Sequence, residues 1–217
     1  SKEALEGVVF GLYAGEDIKN MQGKVVVEKD TLLETKATDP EGKLTFDSDL
    51  WHGHYYVKEE QHLPGYLPND EIWEIDATYE DQNLPAIFLE KEVENQPTES
   101  YFTKTDIVTG EPVEGAKLQI LDEEGTVVRE WITTKEEHLE YALLAGNYIL
   151  HEELPPLEDG YVSAEDVSFE VKEDGTITKV EMKDDFSKVD ISKTDITGDT
   201  ELVGVKLQVL NSKEEVL

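Results

Sequence analysis

The sequence has no cysteine and very few basic residues. Without cysteine, any covalent staple within its 217 residues must use chemistry other than a disulfide. Lys and Arg number 19 against 51 Asp and Glu, and the formal net charge is −32. Nucleic acids and anionic lipid surfaces are poor partners for such a chain, because binding them requires positive charge. We also find no apolar run long enough to insert into a membrane.

Helical periodicity is weak throughout, and short alternating segments take its place. Such segments, each bounded by turn formers, lie at 45–46, 117–122, 167–171 and 176–182. Short strands separated by turns at this spacing are typical of antiparallel sandwiches. The sequence therefore predicts an all-β chain made of tandem, immunoglobulin-like β-sandwich modules.

Internal repeats support this organisation. One apolar pattern built around a glycine occurs three times, at 6–13, 114–121 and 203–210. The intervals between the copies have the length of a domain rather than of a solenoid repeat. Because the first interval is the longer one, we expect an irregular insertion within residues 70–83.

Two further repeats mark the modules and their joints. The segments 53–59 and 146–152 both start with glycine and end with glutamate, and the tripeptide Lys-Thr-Asp occurs at 104–106 and 193–195. The predicted modules are 1–98, which lacks its first strand, 99–186, which is complete, and 187–217, which holds only two strands. The linkers between them are short, which favours an extended, semi-rigid string of modules.

Together these motifs resemble the Cna-B type domains, also called SpaA-like or prealbumin-like domains, of Gram-positive pilins and surface adhesins. The motifs that carry the resemblance are Lys-Thr-Asp at 104–106, Gly-Ala-Lys-Leu at 115–118, Gly-x-Tyr-x-Leu-x-Glu at 146–152 and Gly-Tyr at 160–161. The resemblance implies a prealbumin-like sandwich in an extracellular, cell-wall-attached stalk. It also implies that the partners are neighbouring modules of the same polypeptide, and that no cofactor is needed.

In domains of this kind, a lysine on the first strand forms an isopeptide bond with an Asp or Asn on the last strand, assisted by a glutamate. Carried over to residues 99–186, the resemblance assigns these roles to Lys104, Asp184 and Glu152. The repeats and the alternation of strand residues favour Asp184 over Asp185 and Glu152 over Glu153. A bond of this kind would be made by the module itself, in a single self-modification.

The other two modules carry parts of the same set. Glu59 and Asn95 are the equivalents in the first module, whose lysine we expect upstream of Ser1. Lys193 is the equivalent in the third module, whose glutamate and acceptor we expect beyond Leu217. The missing first strand of the first module has two possible sources, the same chain or residues 187–217 of another chain.

The chemistry explains why these residue types are needed. A lysine amine attacks only when neutral, and burial between two sheets disfavours its charged form. A carboxylate is a poor electrophile, so the Asp carbonyl carbon must carry a protonated oxygen when it is attacked. A glutamate beside it can hold that proton and pass it to the departing water. The fold supplies the proximity, so no external enzyme is required.

Alternatives remain open for the residues and for the function. The three residues in 99–186 are also compatible with a buried ion network or with exposed charges. His52, His54 and His62 have spacing that zinc sites use, although a solvated turn and strand are favoured. A second hypothesis is a binding module that contacts host glycan or matrix protein through a sandwich face or an insertion at 67–90. Against an enzyme, the sequence shows no Ser-His-Asp order and no phosphate loop.

Overall fold

The computed structural model describes residues 4–77, 92–187, 191–198, 200–210 and 213–216. Within them the chain is essentially all β, as predicted. In the first module the strands are β1 (Val9–Ala14), β2 (Ile18–Lys19), β3 (Val25–Val27), β4 (Leu32–Ala37), β5 (Gly53–Gln61) and β6 (Ile72–Ala77). In the second they are β7 (Glu99–Asp106), β8 (Lys117–Leu121), β9 (Val127–Ile132), β10 (His138–Tyr141), β11 (Gly146–Leu154), β12 (Val167–Val171) and β13 (Thr178–Asp184), with one 3-10 turn at Leu157–Asp159.

The second module is a sandwich of two sheets. One has the strand order β12-β11-β8-β9 and the other β10-β7-β13. Their inner faces meet in a core that includes Phe102, Leu118, Ile120, Leu150 and Met182, each almost inaccessible to solvent. Alternation along these strands places the apolar residues in the core, because successive strand side chains point to opposite faces.

The first module repeats one of these sheets. Its order, β4-β1-β5-β6, matches β9-β8-β11-β12 strand for strand, and a small ribbon of β2 and β3 is added. Leu12 and Tyr55 lie in one apolar cluster and Phe10 and Trp73 in another. The described residues of this module contain no counterpart of the three-stranded sheet.

The first and last strands of the second module pair in parallel. Register partners along β7 and β13 include Lys104 with Met182 and Asp106 with Asp184. The other strand pairs are antiparallel, so the expected antiparallel sandwich is correct except for this pair. In a parallel pair, the start of β7 and the end of β13 lie at opposite ends of the ladder.

Two expectations about the first module were wrong in part. Ile72–Ala77 lies within the expected irregular insertion, yet it is a regular strand paired with β5; residues 78–91 lie outside the described part of the chain. Conversely, residues 43–52 form no strand, although 45–46 fitted the strand pattern. Their counterpart β10 pairs with β7, and a strand needs such a neighbour to satisfy its backbone groups.

The segment predicted to start a third module repeats a backbone hydrogen bond of the second module. In the second, Val113 N–H donates to the Lys104 carbonyl at 2.9 Å. In the third, Leu202 N–H donates to the Lys193 carbonyl at 2.8 Å. The side chain of Lys193 is exposed, and the described residues beyond 190 make only isolated bridges.

Candidate functional site

The site in the second module begins with an unusual strand. Every second residue of β7 faces the core, and these residues are Ser100, Phe102, Lys104 and Asp106. Only Phe102 is apolar. Charged residues are almost never fully buried unless they are paired, so Lys104 and Asp106 must have partners inside the sandwich.

Lys104 meets two carboxyl groups, one from each sheet. Asp184 ends the neighbouring strand β13, and its Oδ1 is hydrogen-bonded to Lys104 Nζ. Glu152 comes from β11 across the core, and its Oε1 lies 3.0 Å from the same nitrogen. The side chains of all three residues are at most 1% exposed. The structure thus brings the three sequence-predicted residues into one cluster.

The backbone fixes Glu152 in place. Its Oε2 accepts a hydrogen bond of 2.7 Å from the N–H of Ala164, in the segment that leads to β12. The other oxygen is left to face Lys104. The adjacent Glu153 is exposed and pairs instead with Lys117 at 2.6 Å. Strand alternation therefore selects Glu152 and excludes its neighbour from the core.

The environment of Asp184 favours its protonated form. Burial raises the pKa of its carboxyl above the ordinary value; Lys104 opposes this shift and the nearby Glu152 adds to it. Among the described residues, neither Asp184 Oδ2 nor Glu152 Oε1 has a hydrogen-bond donor of good geometry.

Asp106 is a buried carboxylate whose importance sequence reasoning missed. Its Oδ1 accepts hydrogen bonds from the N–H groups of Val108 and Thr109, at 2.9 and 2.7 Å. The Thr109 bond is the main cause that holds the pKa of Asp106 below its ordinary value, while burial opposes it. The turn that Asp106 closes also places Ile107, whose N–H donates to the Asp184 carbonyl at 2.8 Å. The repetition of Lys-Thr-Asp was the available signal.

A small polar cavity adjoins the cluster. It measures about 90 Å³, and its lining includes Lys104, Phe102 and the stacked pair Trp131 and His138. A space of this size beside polar groups can hold water. The cavity therefore has room for a small molecule such as water beside Lys104.

The first module holds the corresponding half of the site. Glu59 Oε1 accepts a hydrogen bond of 3.2 Å from the N–H of Asn69, the counterpart of Ala164. Its Oε2 accepts one of 2.6 Å from Asn95 Nδ2. The pair is only partly buried. No lysine is bonded to Glu59 or Asn95 in the part of the chain that the structure describes.

The other residues considered from sequence do not come together. His54 lies near Asp76 and His62 near Glu173, so each faces a different partner. Over the described ranges, no group of three or more His, Asp or Glu is arranged to hold a metal ion. In the described part of the chain, no helix has the length and apolarity needed to span a bilayer.

Solved structures with similarity to the chain include two pilins. The Bacillus anthracis TIE protein is 25% identical with a TM-score of 0.47, and the alignment covers 100% of this chain but only 38% of that one. The shaft pilin SpaA of Lactobacillus rhamnosus GG is 17% identical with a TM-score of 0.40, and 86% and 90% of the two chains are covered. GBS52, the minor pilin of the Gram-positive pathogen Streptococcus agalactiae, is 14% identical with a TM-score of 0.39, and 89% of each chain is covered.

No curated protein matches the chain. The family model for the SpaA prealbumin-like fold domain matches it twice, over residues 1–90 and 99–185. These two matches cover most of the sequence and follow the repeat described above. The chain therefore belongs to the SpaA family of prealbumin-like fold domains.

Proposed function

We propose that this chain is part of the stalk of a cell-wall-anchored adhesin or pilin of a Gram-positive bacterium, and that its second module locks itself with an isopeptide bond. The observation that carries the proposal is the buried cluster of Lys104, Glu152 and Asp184, which links two sheets of a family member. Membership of the SpaA family and the strongly acidic composition agree with a structural role at the cell surface.

The electrostatics of the cluster favour reaction over a permanent ion network. Fully ionised, the three groups would bury one positive and two negative charges in an apolar core. Taking ions out of water is costly, and an ion pair recovers that cost only when every group is well hydrogen-bonded. Condensation of Lys104 with Asp184 removes one charge of each sign and leaves a neutral amide.

The step itself balances as a condensation. A proton passes from the Lys104 ammonium to the carboxyl pair, which the raised pKa of Asp184 favours. The neutral Nζ then attacks Asp184 Cγ, forming the C–N bond, and the nitrogen gives up one proton to Glu152. Glu152 passes a proton to the departing oxygen, so the C–O bond breaks and one water leaves. The nearby cavity of about 90 Å³ can receive that water.

The bond would change how the module carries force. Lys104 and Asp184 are separated by 80 positions in the sequence, and the bond would close the chain between them. Tension that enters at the start of β7 would pass through Lys104 directly to the end of β13. The strands between would lie outside the load path. The chain-entropy model for cross-links gives a stabilisation of roughly 4–5 kcal/mol for a loop of this length.

The decisive experiment is an intact-mass measurement with matched variants. We expect the purified protein to be one water lighter than its sequence mass, and Lys104→Ala and Glu152→Ala to have their full masses. Glu153→Gln and Asp185→Asn serve as controls, because each changes a carboxylate adjacent to the cluster in sequence. Both controls should still lose one water.

Either result separates the hypotheses. Fragmentation of the protease-digested protein should yield one branched peptide that joins Lys104 to Asp184. If instead the protein without substitutions has its full sequence mass, the module is an unlinked sandwich, and recognition of a host ligand becomes the better hypothesis. We also propose that the chain has no turnover activity, because the condensation happens once and consumes its own residues.

A further inference from the structure

The joint between the first two modules is built from four segments. They are the loop 62–67 of the first module, the linker 96–98, and the turns 142–145 and 173–175 of the second module. We refer to them together as the joint. Flexible hinging is the usual expectation for two modules on one chain, unless specific contacts fix them. The joint contains three such contacts.

The linker is hydrogen-bonded on both sides. Thr98 N–H donates to the Gly65 carbonyl at 2.9 Å, and Leu67 N–H donates to the Gln96 carbonyl at 2.7 Å. These bonds tie the linker to the first module. Thr98 Oγ1 donates to the Leu143 carbonyl at 2.6 Å and is buried, so the same residue is tied to the second module.

A carboxylate of the second module binds the first module directly. Glu173 Oε1 accepts a hydrogen bond of 2.9 Å from the N–H of Gly65, and its Oε2 lies 3.2 Å from His62 Nε2. The Glu173 side chain is only 25% exposed. The Gly65 bond, helped by His62 and opposed by burial, holds the pKa of Glu173 below its ordinary value. The carboxylate is therefore ionised near neutral pH and makes a charge-assisted bond across the joint.

The third contact is a close approach of two backbones. Gly65 has φ +83°, and a Cβ built there would lie 2.6 Å from the Ala142 carbonyl oxygen. Ala142 itself has φ 56°, a backbone conformation that residues other than glycine rarely adopt. Its N–H donates to the Thr98 carbonyl at 3.0 Å. Only glycine at position 65 allows the turn of the second module to sit this close.

Part of this arrangement is repeated after the second module. Ser187 N–H donates to the Gly160 carbonyl at 3.0 Å, and Val162 N–H donates to the Asp185 carbonyl at 3.0 Å. These match the bonds made by Thr98 and Leu67. Because the same two hydrogen bonds occur after both modules, this connection is a feature of the repeat and not of one linker.

We propose that Glu173 and Gly65 form an inter-module clasp that holds the first two modules in one fixed orientation. The clasp uses the carboxylate of one module and the backbone N–H of a glycine turn in the other. It operates whether or not Lys104 is cross-linked, since none of its contacts involves that cluster. The partner surface of loop 62–67 is therefore the turn end of the following module.

Residual dipolar couplings of the weakly aligned, isotope-labelled chain test the clasp. In the unmodified protein we expect one alignment tensor to fit the amides of both modules. In Glu173→Ala we expect that agreement to be lost, with two tensors of different magnitude. The matched control is Glu170→Ala, which removes an exposed carboxylate of the same module that lies 3.4 Å from Lys172 Nζ. It should keep the single tensor.

Gly65→Ala provides an independent test, because it acts on the backbone contact and leaves Glu173 in place. It should also give two tensors, while unchanged amide shifts in both cores show that the modules are folded. Two tensors in the unmodified protein would overturn the proposal, as would one tensor in both variants. Intact mass reads the cross-link separately, so failure of the clasp and failure of the isopeptide proposal are distinguishable.

Discussion

The first and second modules contain the same half of a site and differ in the other half. Glu59 and Glu152 are each held by a backbone N–H from the segment before the next strand. The residue predicted to be the acceptor, Asn95 or Asp184, lies at the end of each module. In the second module a lysine lies between glutamate and acceptor, whereas in the first Asn95 donates directly to Glu59.

The comparison shows what places the acceptor. Asp184 ends a paired strand, but the described residues before Asn95 form no strand. Both acceptors nevertheless reach their glutamates. The residue that follows each is bound by the loop after the Gly-Tyr turn, through Leu67 to Gln96 and through Val162 to Asp185. These turn bonds position the predicted acceptor in both modules. In the second module, pairing with β7 also buries Asp184 and brings it next to Lys104.

The largest expected difference between the modules is in stability. Lys104→Met should lower the free energy of unfolding of the second module by at least about 4–5 kcal/mol, because the cross-link cannot form and the carboxyl groups of Asp184 and Glu152 are buried without a cation. Urea denaturation followed by module-specific signals measures this. The control is Lys117→Met, on β8, whose half-exposed amine pairs with Glu153. It should cost no more than about 1 kcal/mol, and equal losses in the two variants would contradict the cross-link.

The next difference concerns the order of unfolding. Leu12 and Leu118 are each 1% exposed in equivalent sheets, so truncation of either to alanine should cost about 2–5 kcal/mol. We expect calorimetry to show two transitions, with the first module at the lower temperature because its described site lacks a lysine. Leu12→Ala should lower the first transition and Leu118→Ala the second. A single transition that both variants shift equally would show that the modules do not differ.

A third prediction concerns pH. Burial raises the pKa of Asp184 and Lys104 opposes the shift, so Lys104→Met removes the opposing influence. A carboxyl whose pKa is higher in the folded state stabilises the fold at low pH, and this contribution is lost as pH rises through the folded-state pKa. The second module of Lys104→Met should therefore become less stable as pH rises above the ordinary Asp value of 3.8. Each pH unit within the window between the unfolded and folded pKa values costs about 1.4 kcal/mol.

The protein without any substitution provides the control for this pH series. Once cross-linked, Asp184 has no carboxyl group left to titrate, so its second module should lack this loss of stability. Thermal unfolding midpoints between mildly acidic and neutral pH compare the two proteins. A parallel pH dependence in both would show that Asp184 remains a free carboxyl in the unmodified chain.

The smallest expected effect is in the first module. Glu59→Gln weakens a charge-assisted hydrogen bond to Asn95 and should cost about 1–2 kcal/mol. It should not alter the mass deficit, which we expect to be one water with no ammonia. Intact mass before and after the substitution checks this. A further deficit of one ammonia that disappears in Glu59→Gln would show that a lysine does reach Asn95, from this chain or another.

Much of the architecture could be predicted from the sequence. Alternating segments and domain-length repeats indicated an all-β fold, and the fold class and the family are both confirmed. Ile72–Ala77 was wrongly expected to be irregular, because the longer first repeat interval was attributed to an insertion there, whereas the segment pairs with β5. Parallel pairing of β7 with β13 was not expected either, since sequence patterns show which residues form strands but not the direction of their neighbours.

The sequence by itself determined the repeat, its glycine turns and the residue types at the site, because periodicity and turn chemistry are local properties. It also pointed to Lys104, Glu152 and Asp184 through their repeated spacing; their roles stay a prediction. Only the tertiary structure decided that these three meet between two sheets with their side chains buried, and that Asp106 supports them. It also decided that Glu173 contacts Gly65 of the preceding module. Burial and long-range contact depend on how sheets pack, which no single segment of the chain encodes.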